Sequence, residues 1–374
     1  MKNEKLDSRI AIVIGTKAEL IKCMPIMLEL QKQNKEYFFI HTGQHALGKA
    51  CEEFNIKKPD FILSKEPEIS TKFWSKINRI SFLWFFLIIP KIRKSIRKIK
   101  PEYVVYHGDT MSTAAASIAS SKILNPKRAW KNVHLEAGLR SGSLFEPFPE
   151  EISRKICDKF SDLLLAVSDL TERNLEKYQK NKKIIKTGNT IVNSALITYD
   201  NARKKYKKLN YEYALINLHR HENLNSKKRM EAIIEILRNI KIKAIWPLHD
   251  NTEYYLKKYN LMEKAKEIKN IKITPLVNYF NFIFLLANCK YLVTDGGSIQ
   301  EESLVFKKPC ILVRNKTERQ EGLSTGINFL TKLDVDYAKD IIKKIENNKI
   351  KIPKFKNPYG EKGMNKRIVK ILRE

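Results

Sequence analysis

The sequence predicts an α/β protein with two doubly wound parallel-sheet domains. Short apolar, β-branched or aromatic runs alternate with amphipathic helical stretches along most of the chain. Such runs are typical of parallel strands that helices cover on both faces. At 374 residues the chain is also longer than one hydrophobic core usually serves. Two domains are therefore expected.

The predicted strands form two series. The first comprises residues 9–16, 37–43, 103–109, 132–138, 163–169 and 184–189. The second comprises residues 213–219, 243–250, 271–276, 291–297 and 309–314. A charged helical stretch near residues 190–210 separates them, so we place the N-terminal domain at residues 1–190 and the C-terminal domain at residues 191–357. Residues 358–374 predict a helix that packs back on the first domain.

The formal net charge is +30, although the composition is otherwise that of a folded globular protein, 43% hydrophobic. Such a charge suits a lysine-rich solvated surface, nucleic acid, a membrane surface or an anionic substrate. The sequence contains no zinc-finger, ribonucleoprotein or basic-zipper pattern, so we expect no nucleic-acid partner.

The cysteines predict neither disulfides nor a zinc site. There are five, an odd number, and none forms a CxxC pair: Cys23, Cys51, Cys157, Cys289 and Cys310. Together with a polar N-terminus that shows no signal peptide, they indicate a cytoplasmic protein. There is no HExxH motif, and we expect neither a metal nor a cofactor.

The segment 80–100 joins an apolar run to a cationic tail. The run extends from Ile80 to Pro90, which is too short for a membrane-spanning helix of about 20 residues. With Trp84 and the lysine-rich tail it fits an interfacial helix in weak contact with a membrane. A buried helix leading into the next strand fits equally well.

Polar residues collect where the predicted strands end, and ligands of open parallel sheets bind beyond the carboxyl ends of the strands. All 7 histidines lie in or directly after predicted strands. Asp109, Glu136 and Glu150 end or follow neighbouring strands of the first domain. Gathered carboxylates divide into an acid and a base, which suits proton removal from carbon or assisted loss of a leaving group. Glu151 is expected to cap the helix that begins near residue 152.

The stretch "VTDGGSIQEE", residues 293–302, predicts a phosphate site. Gly296, Gly297 and Ser298 should leave backbone N–H groups open at a helix N-terminus, where the dipole favours an anion. Glu302 lies about one turn further on, within reach of a ribose. There is no GKS or GKT, so nothing suggests ATP hydrolysis.

Basic residues near the same strand ends favour a nucleotide diphosphate over an extended polyanion. Lys17 follows the glycine turn after the first strand, Arg319 follows the last strand, and His219 begins "HRHEN" (219–223).

These motifs, in this order, resemble the UDP-N-acetylglucosamine 2-epimerase family. The matching elements are "GTKAELIKCMPI" (15–26), "TGQH" (42–45), "HGDT" (107–110), "HLEAGLRSG" (134–142), "PFPEEISR" (147–154), "TGNT" (187–190), "HRHEN" (219–223), "TDGGSIQEE" (294–302) and "NKTERQEG" (315–322). The resemblance implies a glycosyltransferase-B-like fold, two Rossmann-like doubly wound parallel-sheet domains facing across a cleft. It also implies a homodimer.

The resemblance further implies interconversion of UDP-GlcNAc and UDP-ManNAc for cell-surface polysaccharide precursors. UDP is eliminated to give 2-acetamidoglucal and then re-added. The matched catalytic residues are Asp109, Glu136, Glu150 and His219. The matched UDP-sugar site comprises Lys17, Gln44, His45, Arg140, Phe282, Gly296, Gly297, Ser298, Glu302 and Arg319.

Several alternatives stay open at this point. Lys17 stands where most family members have arginine, which keeps the charge but loses bidentate phosphate binding. The turn also reads "TDGGS" where many members read "TDSGG", and the stretch around residues 125–132 is about five residues longer than in many members. Together these departures leave the exact N-acylated sugar undecided. The alternatives are a hydrolysing epimerase that releases ManNAc and UDP, an epimerase of a related UDP-diacetamido sugar, a glycosyltransferase of the same architecture, and a basic binding protein without catalysis.

Overall fold

The computed structural model of the protein describes residues 9–65, 77–142 and 149–373, apart from the side chains of residues 77–82. The polar N-terminal stretch, residues 1–8, lies outside this description. So do residues 143–148 of the loop that precedes Glu150.

The chain divides into two compact units. The first comprises Met1–Ser194 and Tyr359–Glu374, and the second comprises Ala195–Pro358. The chain passes from the first unit to the second between Ser194 and Ala195, within a helix, and its C-terminal segment returns to the first unit.

The first unit contains a sheet of 7 parallel strands. Its elements are β1 (Ile10–Ile14), α1 (Lys17–Lys32), β2 (Tyr37–His41), α2 (Gly48–Glu53), β3 (Phe61–Ile62), α3 (Ile77–Ile99), β4 (Tyr103–His107), α4 (Met111–Ser120), β5 (Lys131–Ala137), α5 (Glu150–Phe160), β6 (Leu163–Ala166), α6 (Asp169–Leu175), a 3-10 helix (Glu176–Tyr178), β7 (Lys183–Lys186) and the start of α7 (Thr190–Lys205). The strand order is β3-β2-β1-β4-β5-β6-β7.

The second unit contains a sheet of 6 parallel strands. Its elements are β8 (Tyr213–Asn217), α8 (His221–Leu224), α9 (Lys227–Arg238), β9 (Lys243–Leu248), α10 (Asp250–Lys258), α11 (Met262–Lys266), β10 (Ile271–Pro275), α12 (Tyr279–Asn288), β11 (Tyr291–Thr294), α13 (Ile299–Val305), β12 (Cys310–Leu312), α14 (Gln320–Leu323), β13 (Asn328–Leu330) and α15 (Val335–Glu346). The strand order is β10-β9-β8-β11-β12-β13. The last helix, α16 (Met364–Ile371), belongs to the first unit.

The predicted fold class, two doubly wound parallel α/β sheets, is confirmed. The strand order reverses between β1 and β4 in one sheet and between β8 and β11 in the other, and such switch points are where ligands bind. Among the described strands, the sequence prediction missed the edge strands β3 and β13. They are two and three residues long, too short to show a pattern.

The segment 80–100 forms most of α3. Ile88, Ile92 and Ile96 are buried against the sheet, whereas Leu83 and Phe86 are 61% and 54% exposed. One face is therefore that of a buried helix and the other is open. Within the described part of the chain, no helix has the length and apolar character needed to cross a membrane.

Candidate active site

A buried glutamate, Glu19, fixes the loop between β1 and α1. Thr16 is the N-cap of α1 and forms a capping box with Glu19. Glu19 Oε2 accepts hydrogen bonds from the backbone N–H groups of Gly15 and Thr16, both at 2.7 Å. Its Oε1 accepts from the hydroxyls of Thr110 and Thr113, each at 2.5 Å. Glu19 therefore ties the loops on the two sides of the first switch point together.

Glu136 lies at a β-bulge near the end of β5. The pairing of β5 with β6 shifts register between Leu135 and Ala137, and Glu136 has a φ of 64°. A positive φ strains a residue with a side chain, and such strain is concentrated at functional sites. The Glu136 side chain is also almost fully buried, at 1% exposure. Strain and burial together are typical of a functional carboxylate, and the acid–base role of Glu136 stays a prediction.

Two side chains hold the Glu136 carboxylate. Lys22 Nζ lies 2.8 Å from Oε1 and 2.7 Å from Oε2, and it is itself buried. The amide of Asn189, after β7, donates to Oε1 at 2.8 Å. A lysine from α1 and an asparagine from the loop between β7 and α7 thus fix the position of the Glu136 carboxylate.

His107, the last residue of β4, faces the same carboxylate. Its Nδ1 lies 3.8 Å from Glu136 Oε2, and its Nε2 lies 3.4 Å from Thr190 Oγ1. Burial lowers the pKa of His107 to about 3 and outweighs the attraction of Glu136 for the charged form. The imidazole is therefore neutral at pH 7.

Asp109 follows β4 and binds Arg154 of α5. The Asp109 Oδ2 atom accepts from Nε at 2.9 Å and from Nη2 at 2.6 Å. Arg154 is buried, and its Nη1 donates to Glu151 Oε2 at 2.9 Å. One guanidinium therefore fixes Asp109 and brings α5 to the end of β4.

Glu151 does not cap α5, so that prediction was wrong. The helix begins at Glu150, and its N-cap, Pro149, makes no side-chain hydrogen bond. Glu151 instead accepts from the backbone N–H and the hydroxyl of Ser141, at 3.1 and 3.3 Å, and so anchors the loop after β5. Glu150 is half-buried at the start of α5, and its acid–base role stays a prediction.

Three residues predicted to bind the UDP-sugar lie around the loop after β1. Lys17 is exposed as the first residue of α1. Gln44 Oε1 accepts from Ser112 Oγ at 2.7 Å, and the His45 N–H donates to the Gly15 carbonyl at 2.9 Å. Burial lowers the pKa of His45, so its ring is neutral at pH 7.

Arg140, also predicted to bind the UDP-sugar, is engaged by the protein. Its Nη1 donates to the Leu139 carbonyl at 2.7 Å, and its Nη2 donates to Asp158 of α5 at 2.5 Å. These bonds steady the loop after β5, and a role toward the sugar stays a prediction.

In the second unit, a buried aspartate orders the loop that contains His219. Asp295 directly follows β11 and is fully buried. Its Oδ1 accepts from the His219 N–H at 2.9 Å, and its Oδ2 accepts from the Arg220 N–H at 3.2 Å and the Asn223 amide at 3.0 Å. Because β8 and β11 are neighbours, Asp295 places His219 at the second switch point.

The His219 ring is neutral at pH 7, and its role in catalysis stays a prediction. Its Nδ1 lies 3.1 Å from Asn217 Oδ1, and its ring stacks on His249 with centroids 5.9 Å apart. Desolvation lowers the pKa of His219, although the Asp295 carboxylate favours the charged form. A neutral imidazole can accept a proton at pH 7.

The turn formed by Gly296, Gly297 and Ser298 differs in one respect from its prediction. The Gly296 N–H is not open, because it donates to Thr294 Oγ1 at 3.0 Å. Gly297 and Ser298 donate no backbone N–H bond to any described residue. A Cβ on Gly297 would lie 3.0 Å from Glu318 Oε1 and 3.1 Å from both Arg220 Nη2 and Arg319 Nη1, so one carboxylate and two guanidinium groups border the turn.

Arg319 belongs to a buried ion cluster. Its Nε donates to Glu301 at 3.2 Å, and its Nη1 pairs with Glu318. Arg220 and Arg314 also contact Glu318, at 3.3 and 3.2 Å. The cluster fixes three guanidinium groups beside the turn, and the carboxylates of Glu301 and Glu318 balance part of their charge.

Glu302 and Phe282 lie on neighbouring helices. Glu302 Oε1 accepts from the Tyr279 hydroxyl at 2.5 Å, and burial raises the pKa of that hydroxyl. Phe282 is half-buried on α12, three positions after Tyr279. The tyrosine therefore orients the carboxylate predicted to bind a ribose.

The residues of these sites that sequence reasoning missed include Lys22, Arg154, Asn189 and Tyr279. Lys22 stands alone in the apolar stretch "LIKCMPIM", and a single charge within a buried helical run was a usable signal. Arg154 and Asn189 lie within the matching motifs "PFPEEISR" and "TGNT", but no role was predicted for either, and Tyr279 gave no signal. Among the described residues, no group of three or more His, Cys, Asp or Glu side chains is arranged to hold a metal ion.

These sheets and sites define a two-domain enzyme of the glycosyltransferase-B-like class, with carboxylates and a histidine at one switch point and arginines beside a glycine turn at the other. The family model described as UDP-N-acetylglucosamine 2-epimerase matches residues 28–373, and the chain belongs to this family of isomerases.

Individual relatives agree with this assignment. The chain is 34% identical over 382 residues to the UDP-N-acetylglucosamine 2-epimerase of Methanocaldococcus jannaschii, covering 97% of this chain and 98% of that protein. A crystal structure of UDP-GlcNAc 2-epimerase from that organism, in complex with UDP-GlcNAc and UDP, matches with a TM-score of 0.82 at 33% identity, over 97% of this chain and 99% of that chain. The UDP-2,3-diacetamido-2,3-dideoxy-D-glucuronate 2-epimerase of Pseudomonas aeruginosa is 30% identical over 348 residues, covering 89% of this chain and 90% of that protein.

Proposed function

We propose that the protein interconverts UDP-GlcNAc and UDP-ManNAc without net hydrolysis. The observation that supports this most directly is the buried Glu136 carboxylate. It is paired with Lys22, and the neutral His107 and the fixed Asp109 lie in the same unit. Family membership supplies the substrate class.

The reaction needs a base on one face of the sugar and an acid on the other. Removal of the C2 proton sends the C–H electron pair into a C1–C2 double bond, and the C1–O bond to UDP breaks. UDP then re-adds at C1 while a proton returns to the opposite face of C2. Asp109, Glu136 and Glu150 are the carboxylates that we propose for these transfers, with His219 as a further proton acceptor or donor.

For the nucleotide we propose the second unit. The Gly297 and Ser298 N–H groups and Arg319 would bind the diphosphate, Glu302 the ribose, and Phe282 would stack beside the uracil. Lys17, Gln44, His45 and Arg140 would complete the polar lining on the first unit.

Deuterated water tests this function. The protein is incubated with UDP-GlcNAc in deuterated water and the products are followed by NMR. We expect deuterium at C2 with the UDP-sugar retained. Glu136→Gln and Asp109→Asn should each lower turnover at least about a hundredfold, the scale of lost acid–base catalysis. Glu29→Gln, a buried change elsewhere on α1, is the matched control and should retain turnover.

Other outcomes identify the alternatives. Free ManNAc would indicate a hydrolysing epimerase. An absence of C2 exchange would exclude both epimerase reactions on this substrate. A glycosyltransferase, an epimerase of another UDP-sugar or a basic binding protein would then remain. The similarity to the Pseudomonas aeruginosa diacetamido-sugar epimerase favours one further candidate, a related UDP-diacetamido sugar, which the same assay tests directly.

We also propose a cytoplasmic homodimer with weak membrane contact through the open face of α3. Light scattering after size exclusion tests the dimer, and co-sedimentation with anionic vesicles tests the contact. The open face of α3 contains none of the residues that we propose to bind the UDP-sugar.

A further inference from the structure

One buried histidine of the first unit, His134, takes part in none of the proposed proton transfers. His134 is on β5, two residues before Glu136, and its side chain is fully buried. Its Nε2 lies 2.8 Å from the carbonyl oxygen of Gly108, and its Nδ1 lies 2.8 Å from Asp158 Oδ1. The ring therefore joins the loop after β4 to helix α5.

The hydrogen-bond partner of His134 Nε2 shows that this nitrogen carries a hydrogen. A carbonyl oxygen only accepts, so Nε2 must donate to Gly108. Asp158 faces the other nitrogen, and its second oxygen accepts from Arg140 at 2.5 Å. Burial raises the pKa of Asp158, but the His134 hydrogen bond and the His134 and Arg140 charges outweigh it and hold that pKa below its usual value. The Asp158 carboxylate thus fixes the orientation of the ring.

Gly108 is the residue through which His134 can influence the site. It lies between His107, which faces Glu136, and Asp109, which binds Arg154. Its φ is 80°, and a Cβ there would lie 3.3 Å from Glu136 Oε2. A shift of the Gly108 peptide would therefore move both neighbouring side chains relative to the Glu136 carboxylate.

We propose that His134 is a positioning residue of the proposed epimerase. By donating to the Gly108 carbonyl, it holds the His107–Gly108–Asp109 segment in register with Glu136. Asp158 and Arg140 hold the ring in the orientation that this bond needs. The inference rests on the proposed function for its effect on turnover, whereas its effect on the loop is independent of the substrate.

Two conservative substitutions at His134 distinguish its hydrogen bond to Gly108 from its hydrogen bond to Asp158. In His134→Gln the side-chain amide reaches about as far as Nε2 and can still donate to Gly108. In His134→Asn the shorter amide can still donate to Asp158 but cannot reach Gly108. The matched control is Asn132→Ala. Asn132 is fully buried on the same strand and donates to the Phe160 carbonyl at the other end of α5, 2.9 Å away.

Hydrogen exchange followed by mass spectrometry reports on the loop without any substrate. We expect peptides that cover residues 103–113 to exchange about tenfold faster or more in H134N, and near the wild-type rate in H134Q and N132A. Unchanged exchange in H134N, or equal acceleration in H134Q, would overturn the proposal whether or not the protein acts on UDP-GlcNAc.

The C2 exchange assay gives the functional half of the test. For active wild-type enzyme, we expect H134N to lose kcat by about ten- to a hundredfold with little change in KM, the cost of misplaced catalytic groups. H134Q should keep kcat within about threefold. N132A should lose thermal stability but not turnover per folded molecule. Normal kcat in H134N would refute the positioning role, whereas an inactive wild type would refute only the proposed reaction.

Discussion

At the residue scale, the buried pairing of Lys22 with Glu136 holds a carboxylate that we propose for catalysis. Both side chains are removed from water, at 9% and 1% exposure. A buried charge that loses its partner is costly, whereas removing both charges together is often tolerated. This asymmetry allows the pair to be tested without reference to catalysis.

We expect Lys22→Met to lower the free energy of unfolding by about 3–5 kcal/mol, because Glu136 is left buried without its cation. The double variant K22M/E136Q should regain most of that loss in urea unfolding, though not turnover. Lys32→Met, on the exposed end of the same helix, should change stability by no more than about 0.5 kcal/mol. A double variant no more stable than K22M would show that the two side chains do not act as a pair.

His107 makes the stability of the protein depend on pH. Its folded-state pKa is about 3, whereas the unfolded value is about 6.5. Between these values the unfolded chain binds a proton that the folded chain does not, so stability falls as pH falls. We expect His107 alone to contribute a loss of about 2 kcal/mol between pH 7 and pH 5. In His107→Gln, the free energy of unfolding measured in urea should therefore fall by about 2 kcal/mol less than in the wild type between pH 7 and pH 5. An equal fall in both proteins would show that His107 does not have a lowered pKa in the folded state.

At the scale of elements, helix α5 supplies a buried polar face. Glu151, Arg154 and Asp158 follow the three- and four-residue spacing of one helix face, and all three are buried. From sequence such a stripe predicts a solvated surface. The face is buried because Ser141, Asp109 and His134, from the loops and strands beside it, supply its hydrogen-bond partners.

The loops after β1 and β4 approach so closely that only glycine fits at position 15. A Cβ on Gly15 would lie 1.9 Å from Ser112 Oγ and 2.4 Å from Thr42 Oγ1. We expect Gly15→Ala to cost about 1–3 kcal/mol of stability and to lower turnover, because the two loops must separate. Gly48→Ala, in α2 with open space around it, should be neutral or slightly stabilising. Thermal unfolding of the two variants checks this, and equal effects would rule out the steric argument.

At the scale of the whole molecule, the chain leaves the first unit within α7 and returns at Tyr359. The returning segment supports the carboxylate site, because the Tyr359 carbonyl accepts from the Asn189 N–H at 2.8 Å and Asn189 holds Glu136. The sulfur of Met364 packs where a Cβ of Gly188 would be.

Deleting residues 359–374 should therefore lower the melting temperature and abolish C2 exchange, although every residue proposed for catalysis remains in the chain. Removing residues 373 and 374 alone is the control, because Arg373 is exposed, and it should leave both properties unchanged. Full activity in the longer deletion would show that Asn189 keeps its position without the C-terminal segment.

The sequence by itself determined the two parallel sheets and the strand ends at which polar residues collect. Hydrophobic periodicity, β-branched content and strand length are local properties of the sequence. Parallel pairing of the strands then brings their ends together. Only the tertiary structure decided which groups surround each carboxylate. Lys22 and Glu136 are 114 positions apart, Asp109 and Arg154 are 45 apart, and Arg140, expected at the sugar, is bound to Asp158. Such partners depend on packing across elements, and the energy of a buried charge depends on them.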